Sequence, residues 1–239
     1  MTTHSPALHR ARGARTPSSL ATFVRENGLS LTLTAMFLAS IAAQIGFGLR
    51  AYNEERAHAG FAAATLGTYL ASGHFLEALF ENWESEFLQM GIFVVLSAKL
   101  VQKGSAESKP PDEPGESDED PRRHQQDPKA PWPVRRGGWV LALYENSLAI
   151  AFVLLFAFSF VLHAVGGFLN INEENLARGR PPQTLGEYWT SSQFWFESFQ
   201  NWQSEFLAVL AIVVLTIFLR QRGSPQSKPV AAPHAKTGV

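Results

Sequence analysis

Glu86 and Glu205 stand at the head of apolar runs, with 12 uncharged residues between the first and Lys99 and 14 between the second and Arg220. A carboxylate in or beside hydrocarbon is costly unless it is paired, protonated or wet, so it is a functional candidate by default. Asn82 and Asn201 precede the two glutamates by four residues, which on a helix puts amide and carboxylate on one face, and Ser85 and Ser204 lie between them. Oxygen donors of this kind suit a proton or a hard cation. The competing reading is a structural packing role, because a Glu in the first half of a helix faces the positive end of the macrodipole and interfacial water tolerates its charge.

A second acidic set follows the long uncharged runs: Asn53-Glu54-Glu55 and Asn172-Glu173-Glu174. Glu54, Glu55, Glu173 and Glu174 read either as solvated loop starts or as external acidic sites that concentrate cations. His74 and His163 raise the question of axial haem ligation from two membrane helices. Their equivalents in the repeat described below are Gln193 and Gln44, which argues for hydrogen bonding over ligation. Glu77, Glu81 and Glu84 continue the His74 face at helical spacing, but their equivalents are Phe196, Gln200 and Gln203, so a charged site here would be confined to one copy.

No glycine-rich phosphate loop, zinc-protease helix or nucleophile elbow occurs, so no catalytic residue, metal or cofactor is assigned. Cysteine is absent, which removes disulfides, thiolate metal sites and cysteine nucleophiles. A net charge of −1 argues against nucleic acid as a partner.

The elements that must position these residues are long apolar helices. Residues 27–49 and 146–172 contain no charge, and each stretch exceeds the roughly 20 residues that cross a bilayer. Arginines at 10, 12, 15 and 25 precede the first run, yet its length and its recurrence in mid-chain argue against a cleaved signal.

Shifting the chain by 119 positions lays residues 26–110 on 145–229 without a gap, and about 33 of the 85 pairs are identical. The strongest block, Asn82-Trp83-x-Ser85-Glu86-Phe87-Leu88, recurs at 201–207. The second helix of each unit must then start near residues 73 and 192 to reach about 40 Å. Trp83, Trp195 and Trp202 fit an aromatic belt, and Lys99 can snorkel. Thr184-Leu-Gly-Glu187 has the spacing of a capping box, so a short interfacial helix is expected there. Copy one keeps Thr65 but has Thr68 in place of Glu187.

The sequence therefore predicts an all-α membrane protein of four transmembrane helices, formed by two tandem repeats in the same orientation. Repeat one is 26–102, with helices 28–50 and 73–102 and a short helix at 65–71. Repeat two is 139–222, with helices 145–170 and 192–220 and a short helix at 184–190. Residues 103–138, with seven prolines and a run of acids, are expected to be a disordered tether. Arg and Lys in the arm 1–25, the tether and the tail 223–239 place all three on the cytoplasmic side.

The duplicated Asn-Trp-x-Ser-Glu-Phe-Leu block at 82–88 and 201–207 resembles an uncharacterised family of bacterial multi-pass membrane proteins, a domain of unknown function. That resemblance covers residues 26–222 and implies a bacterial inner-membrane location, with no activity, cofactor or residue role attached. Three function classes follow: a membrane scaffold or envelope-maintenance protein, a small proton or cation channel or transporter using Glu86 and Glu205, and a haem or quinone electron carrier. The expected partners are the lipid bilayer and protein partners or a second copy. Small residues along the first helix, Ala39, Ser40, Ala42, Ala43 and Gly46, suit either self-association or packing within the chain.

Overall fold

The computed structural model describes residues 19–111 and 115–238, and within them every regular element is helical. The order is α1 (Ser19–His58), α2 (Leu66–Leu70), α3 (Gly73–Lys99), α4 (Trp132–Arg136), α5 (Gly138–Glu145), α6 (Ser147–Ala177), α7 (Leu185–Trp189) and α8 (Ser192–Phe218). The first 18 residues of the expected cytoplasmic arm lie outside the described residues.

Helix boundaries follow local chemistry. Ser72 and Ser191 each accept a bond from the backbone N–H three residues on, Phe75 and Phe194, and so start α3 and α8. Gly60 and Gly179, at φ +79° and +64°, stop the two long helices in a conformation other residues resist. The first helices of both units thus run past the expected 50 and 170, to His58 and Ala177. This corrects one reading: Glu54, Glu55, Glu173 and Glu174 are in the last turns of helices, not at loop starts. α3 and α8 end earlier than expected, at Lys99 and Phe218, where Leu100 and Leu219 turn extended.

Contacts recur at matching positions 119 residues apart. The Asn53 side chain clamps the backbone of Ala64 from both sides, at 3.2 and 2.6 Å, and Asn172 clamps Gln183 at 3.0 and 2.7 Å. A Cβ on Gly48 would strike the Tyr69 hydroxyl, and one on Gly167 would strike that of Tyr188. Thr65 caps α2 through Thr68 N–H alone, while Thr184 and Glu187 form the full reciprocal box on α7.

Packing joins the two copies. α3 runs antiparallel to α6, with Gly73 against the backbone of Asn170, Gly166 against that of Glu77, Glu84 against His163, and Gly91 against Phe152. Glycines at the crossing let the backbones touch, the arrangement that drives close helix association in lipid. α8 packs on α3 as well, whereas α6 and α8 meet through large rings: Phe160 lies 5.3 Å from Phe194 and 6.4 Å from Trp202. α1 is held by Tyr52, Tyr69 and Phe75 at one end and by Phe37 on Trp83 (6.1 Å) further along.

Among the described residues three helices are long and apolar enough to cross a membrane: α1 from Leu20, α6 and α8. Their outward faces carry exposed Leu33, Met36, Leu38, Val153, Leu154, Phe158, Leu207 and Leu210. In water such a surface would be costly, whereas in hydrocarbon it is neutral.

The segment 103–138, expected to be a tether, has local structure in its described part. Among the described residues this segment holds two short 3-10 turns, Glu116–Asp118 and Pro121–His124, and helix α4. The order is local: Asp118 accepts from Gly115 N–H and Lys109, and Asp120 caps Arg122 N–H, so no packed core is needed. The tail also folds onto the linker. Lys228 Nζ donates to the carbonyls of Gly104, His234 and Lys236, and Ser105 Oγ bonds Thr216 Oγ1 at 3.1 Å.

Candidate functional site

Three helix faces converge on one polar centre. From α3 come Glu77, Glu81 and Glu84, at i, i+4 and i+7; from α6 come His163 and Asn170, seven apart; from α8 come Gln193, Glu197 and Asn201, four apart. Each set lies on a single helical stripe, so the faces can meet only if the backbones come close. The glycine crossing of α3 and α6 provides that approach.

At the centre Glu84 and His163 are both fully buried, with His163 Nδ1 3.0 Å from Glu84 Oε2. The other Glu84 oxygen accepts from Trp202 Nε1 at 3.2 Å. His163 Nε2 faces Glu197 Oε2 at 3.6 Å, outside hydrogen-bond range, and the Phe194 ring covers the imidazole at 5.0 Å. Glu197 accepts from the Tyr188 hydroxyl at 2.9 Å and from Gln193. Glu77 accepts from Asn170 Nδ2 at 2.6 Å and from Tyr188 at 3.3 Å, and Glu81 accepts from Asn201 Nδ2. Burial beside Glu77 and Glu197 pushes the Tyr188 hydroxyl well above the usual tyrosine range, so it stays a donor to both carboxylates.

His163 lies near the middle of α6, the helix whose central run has no charge. Above it a cavity of about 520 Å³ opens toward the α2 and α7 end of the bundle, lined by Glu77, Glu81, Glu197, Asn170, Tyr188 and Gln193 among others. Four carboxylates surround a single imidazole, and their direct partners are Asn, Gln, Tyr and Trp side chains. A net negative charge of that size is tolerated away from water only if protons or a cation offset it. The arrangement can therefore take up and pass on protons: imidazole and carboxylate in contact, with further carboxylates leading to the cavity.

The residues favoured by the repeat fall mostly beside this centre. Asn82 is exposed and donates to its own helix at Ala78, and Glu86 is exposed. Ser85 is buried but donates to Asn82 O, and Ser204 is exposed and donates to Asn201 O. Glu205 is half-buried, close enough to Glu86 for the two charges to repel, and its carbonyl accepts from Gln89. Asn201 alone of the six reaches the polar centre, through Glu81.

Of the acids expected to be external, Glu54 is exposed and Glu55 lies 3.8 Å from His74. Glu173 joins the copies, accepting from Tyr52 at 2.8 Å and pairing with Arg56, and Glu174 pairs with Arg178 at 2.8 Å. His163 bonds Glu84 through Nδ1, while its Nε2 has no hydrogen-bond partner.

Glu84, Glu77, Glu81 and His163 were discounted by the repeat because their equivalents differ; Glu197, Tyr188, Asn170 and Trp202 carried no strong signal of their own. One signal did point here. His163 is the lone titratable side chain in the uncharged stretch 146–172.

Fold and site together define an all-helical protein with helices fit to cross a membrane and a buried acid–imidazole centre between them. The chain belongs to the family described as a domain of unknown function, DUF6766, whose model matches residues 20–239. No curated protein and no solved structure matches the chain.

Proposed function

We propose that this is a four-span protein of the bacterial inner membrane, built from two tandem repeats, that handles protons through the Glu84–His163 pair. α3 is the fourth span in this reading. It has the same 27-residue length as α8 and carries more charge, with Glu77, Glu81 and Glu84 turned to the polar centre and Glu86 exposed. Arg and Lys near the helix ends put the linker and tail in the cytoplasm, so the cavity opens to the outside.

The observation that carries the reading is the fully buried carboxylate–imidazole contact at mid-depth of α6. A scaffold has no use for it: packing between helices in lipid needs small residues and neutral hydrogen bonds, and a buried ionisable pair is kept at a cost.

The test is infrared difference titration of the purified protein between about pH 4 and 9, the range in which displaced carboxyls and imidazoles exchange protons. Wild type should show a protonated carboxyl band whose titrating part is lost in Glu84→Gln and shifted in His163→Gln. Unchanged spectra in both variants, with the band lost instead in Glu86→Gln or Glu205→Gln, would move the site back to the duplicated glutamates.

A further inference from the structure

We propose that the outer cavity binds a small organic cation with more than one N–H donor, an alkyl diamine being the simplest, held by Glu77, Glu81 and Glu197 in exchange for protons. This rests on the proton-handling reading and names what the protons exchange with.

A volume of about 520 Å³ is that of a small-molecule site and far exceeds a bare ion. Its wall is mostly acidic; of the two basic side chains in it, Arg178 is paired with Glu174 and His74 lies 3.8 Å from Glu55. Glu77, Glu81 and Glu197 are oriented by Asn170, Tyr188, Asn201 and Gln193, which fix their direction without neutralising them. Each carboxylate has about four acceptor positions, so capacity remains on its cavity side.

The carboxylates are spread round the space and do not converge. Among the described residues no group of three His, Asp or Glu is placed to hold one metal ion, which would need oxygens at about 2.0–2.6 Å. Glu77 and Glu81 are one helical turn apart, about 6 Å along the axis, and Glu197 approaches from the opposite helix. That spacing fits a ligand with separated N–H groups.

The buried imidazole links such a ligand to the protons. His163 is fully buried, and its Nε2, which has no hydrogen-bond partner, points at Glu197. A cation seated on Glu77, Glu81 and Glu197 takes the place of protons held on those carboxyls, which leave through the open cavity to solvent; it also removes the negative charge that would steady imidazolium, so the Nδ1 proton moves to Glu84 Oε2, 3.0 Å away, and stays within the pair. The groups facing this step are Glu77, Glu81 and Glu84 from α3, Tyr188 from α7 and Glu197 from α8.

The experiment uses the full chain in detergent, with 1,4-diaminobutane as probe against tetramethylammonium, which has no N–H, and calcium at equal ionic strength. The diamine should raise the melting temperature saturably above neutral pH while the other two do not, and the shift should be lost in Glu77→Gln and Glu197→Gln variants that elute as wild type does. Calorimetry of wild type in two buffers of different ionisation enthalpy should show protons released on binding, a measurement that needs no variant. Equal stabilisation by calcium or tetramethylammonium, or diamine binding without proton release, overturns the proposal. A diamine effect that fails while the Glu84 infrared band still titrates overturns this inference alone; diamine binding without that band overturns the proton reading instead.

Discussion

A carboxylate and an imidazole in contact, away from water, form the smallest unit able to store a proton and hand it on, and Glu84 with His163 is such a contact, which the proposed function makes that unit. The acids around it differ in role according to their donors. Glu187 shows the structural extreme: it is exposed, and the Thr184 backbone N–H and hydroxyl hold its carboxyl below the ordinary range. A depressed value in the folded state means its contribution is present above the ordinary Glu range and is lost as pH falls through the folded value. Glu187→Gln should therefore lower the melting temperature at neutral pH, and the gap from wild type should close below about pH 4. A gap that persists in acid would show that the box acts through packing and not charge. At this scale the sequence was half legible. The Thr184 box was readable from spacing alone, but the repeat drew attention to Glu86 and Glu205, which the copies share. The polar centre instead uses positions where the copies have diverged, His163 against Gln44 and Glu84 against Gln203. The shared blocks of sequence mark the helices, and the positions that differ between the aligned halves hold the charge.

Helices reach that centre because α3 and α6 cross on glycine. Gly166 has the Glu77 backbone directly against it, whereas Gly46 on α1 has nothing near. Gly166→Ala should cost about 1–3 kcal/mol through forced separation of the helices and should also disturb Glu77. Gly46→Ala should be neutral or slightly stabilising, since alanine is the better helix former. Thermal melts of the two variants check this, and equal effects would mean that the crossing is looser than described. Long uncharged runs made α1 and α6 legible in the sequence. Their true ends were not, because both helices continue through polar residues until Gly60 and Gly179 stop them. The pairing of α3 with α6 across the copies was also hidden, since a repeat suggests that each unit packs within itself. Close contact went to the glycines, and among the described residues α6 and α3 carry them facing one another.

The whole molecule then reads as two similar helix pairs fused into one asymmetric bundle, with an acidic cavity at one end and a folded linker and tail at the other. Burial in the linker region pushes the Glu107 carboxyl up, and the Lys228 cage ties the tail to residue 104, so this end is built as carefully as the other. Proline and acid content in the linker argues against a core, and its described residues hold short capped turns without one. The central claim is that protons cross by way of Glu84 and His163. Its most direct test is proton flux into reconstituted vesicles containing a trapped pH dye, driven by an imposed potential, for wild type, Glu84→Gln, His163→Gln and the double variant Glu86→Gln/Glu205→Gln. The account predicts uptake at least about tenfold faster in wild type than in either centre variant, with the double variant close to wild type. Wild-type uptake no faster than in empty vesicles, or loss of flux confined to the double variant, would contradict it.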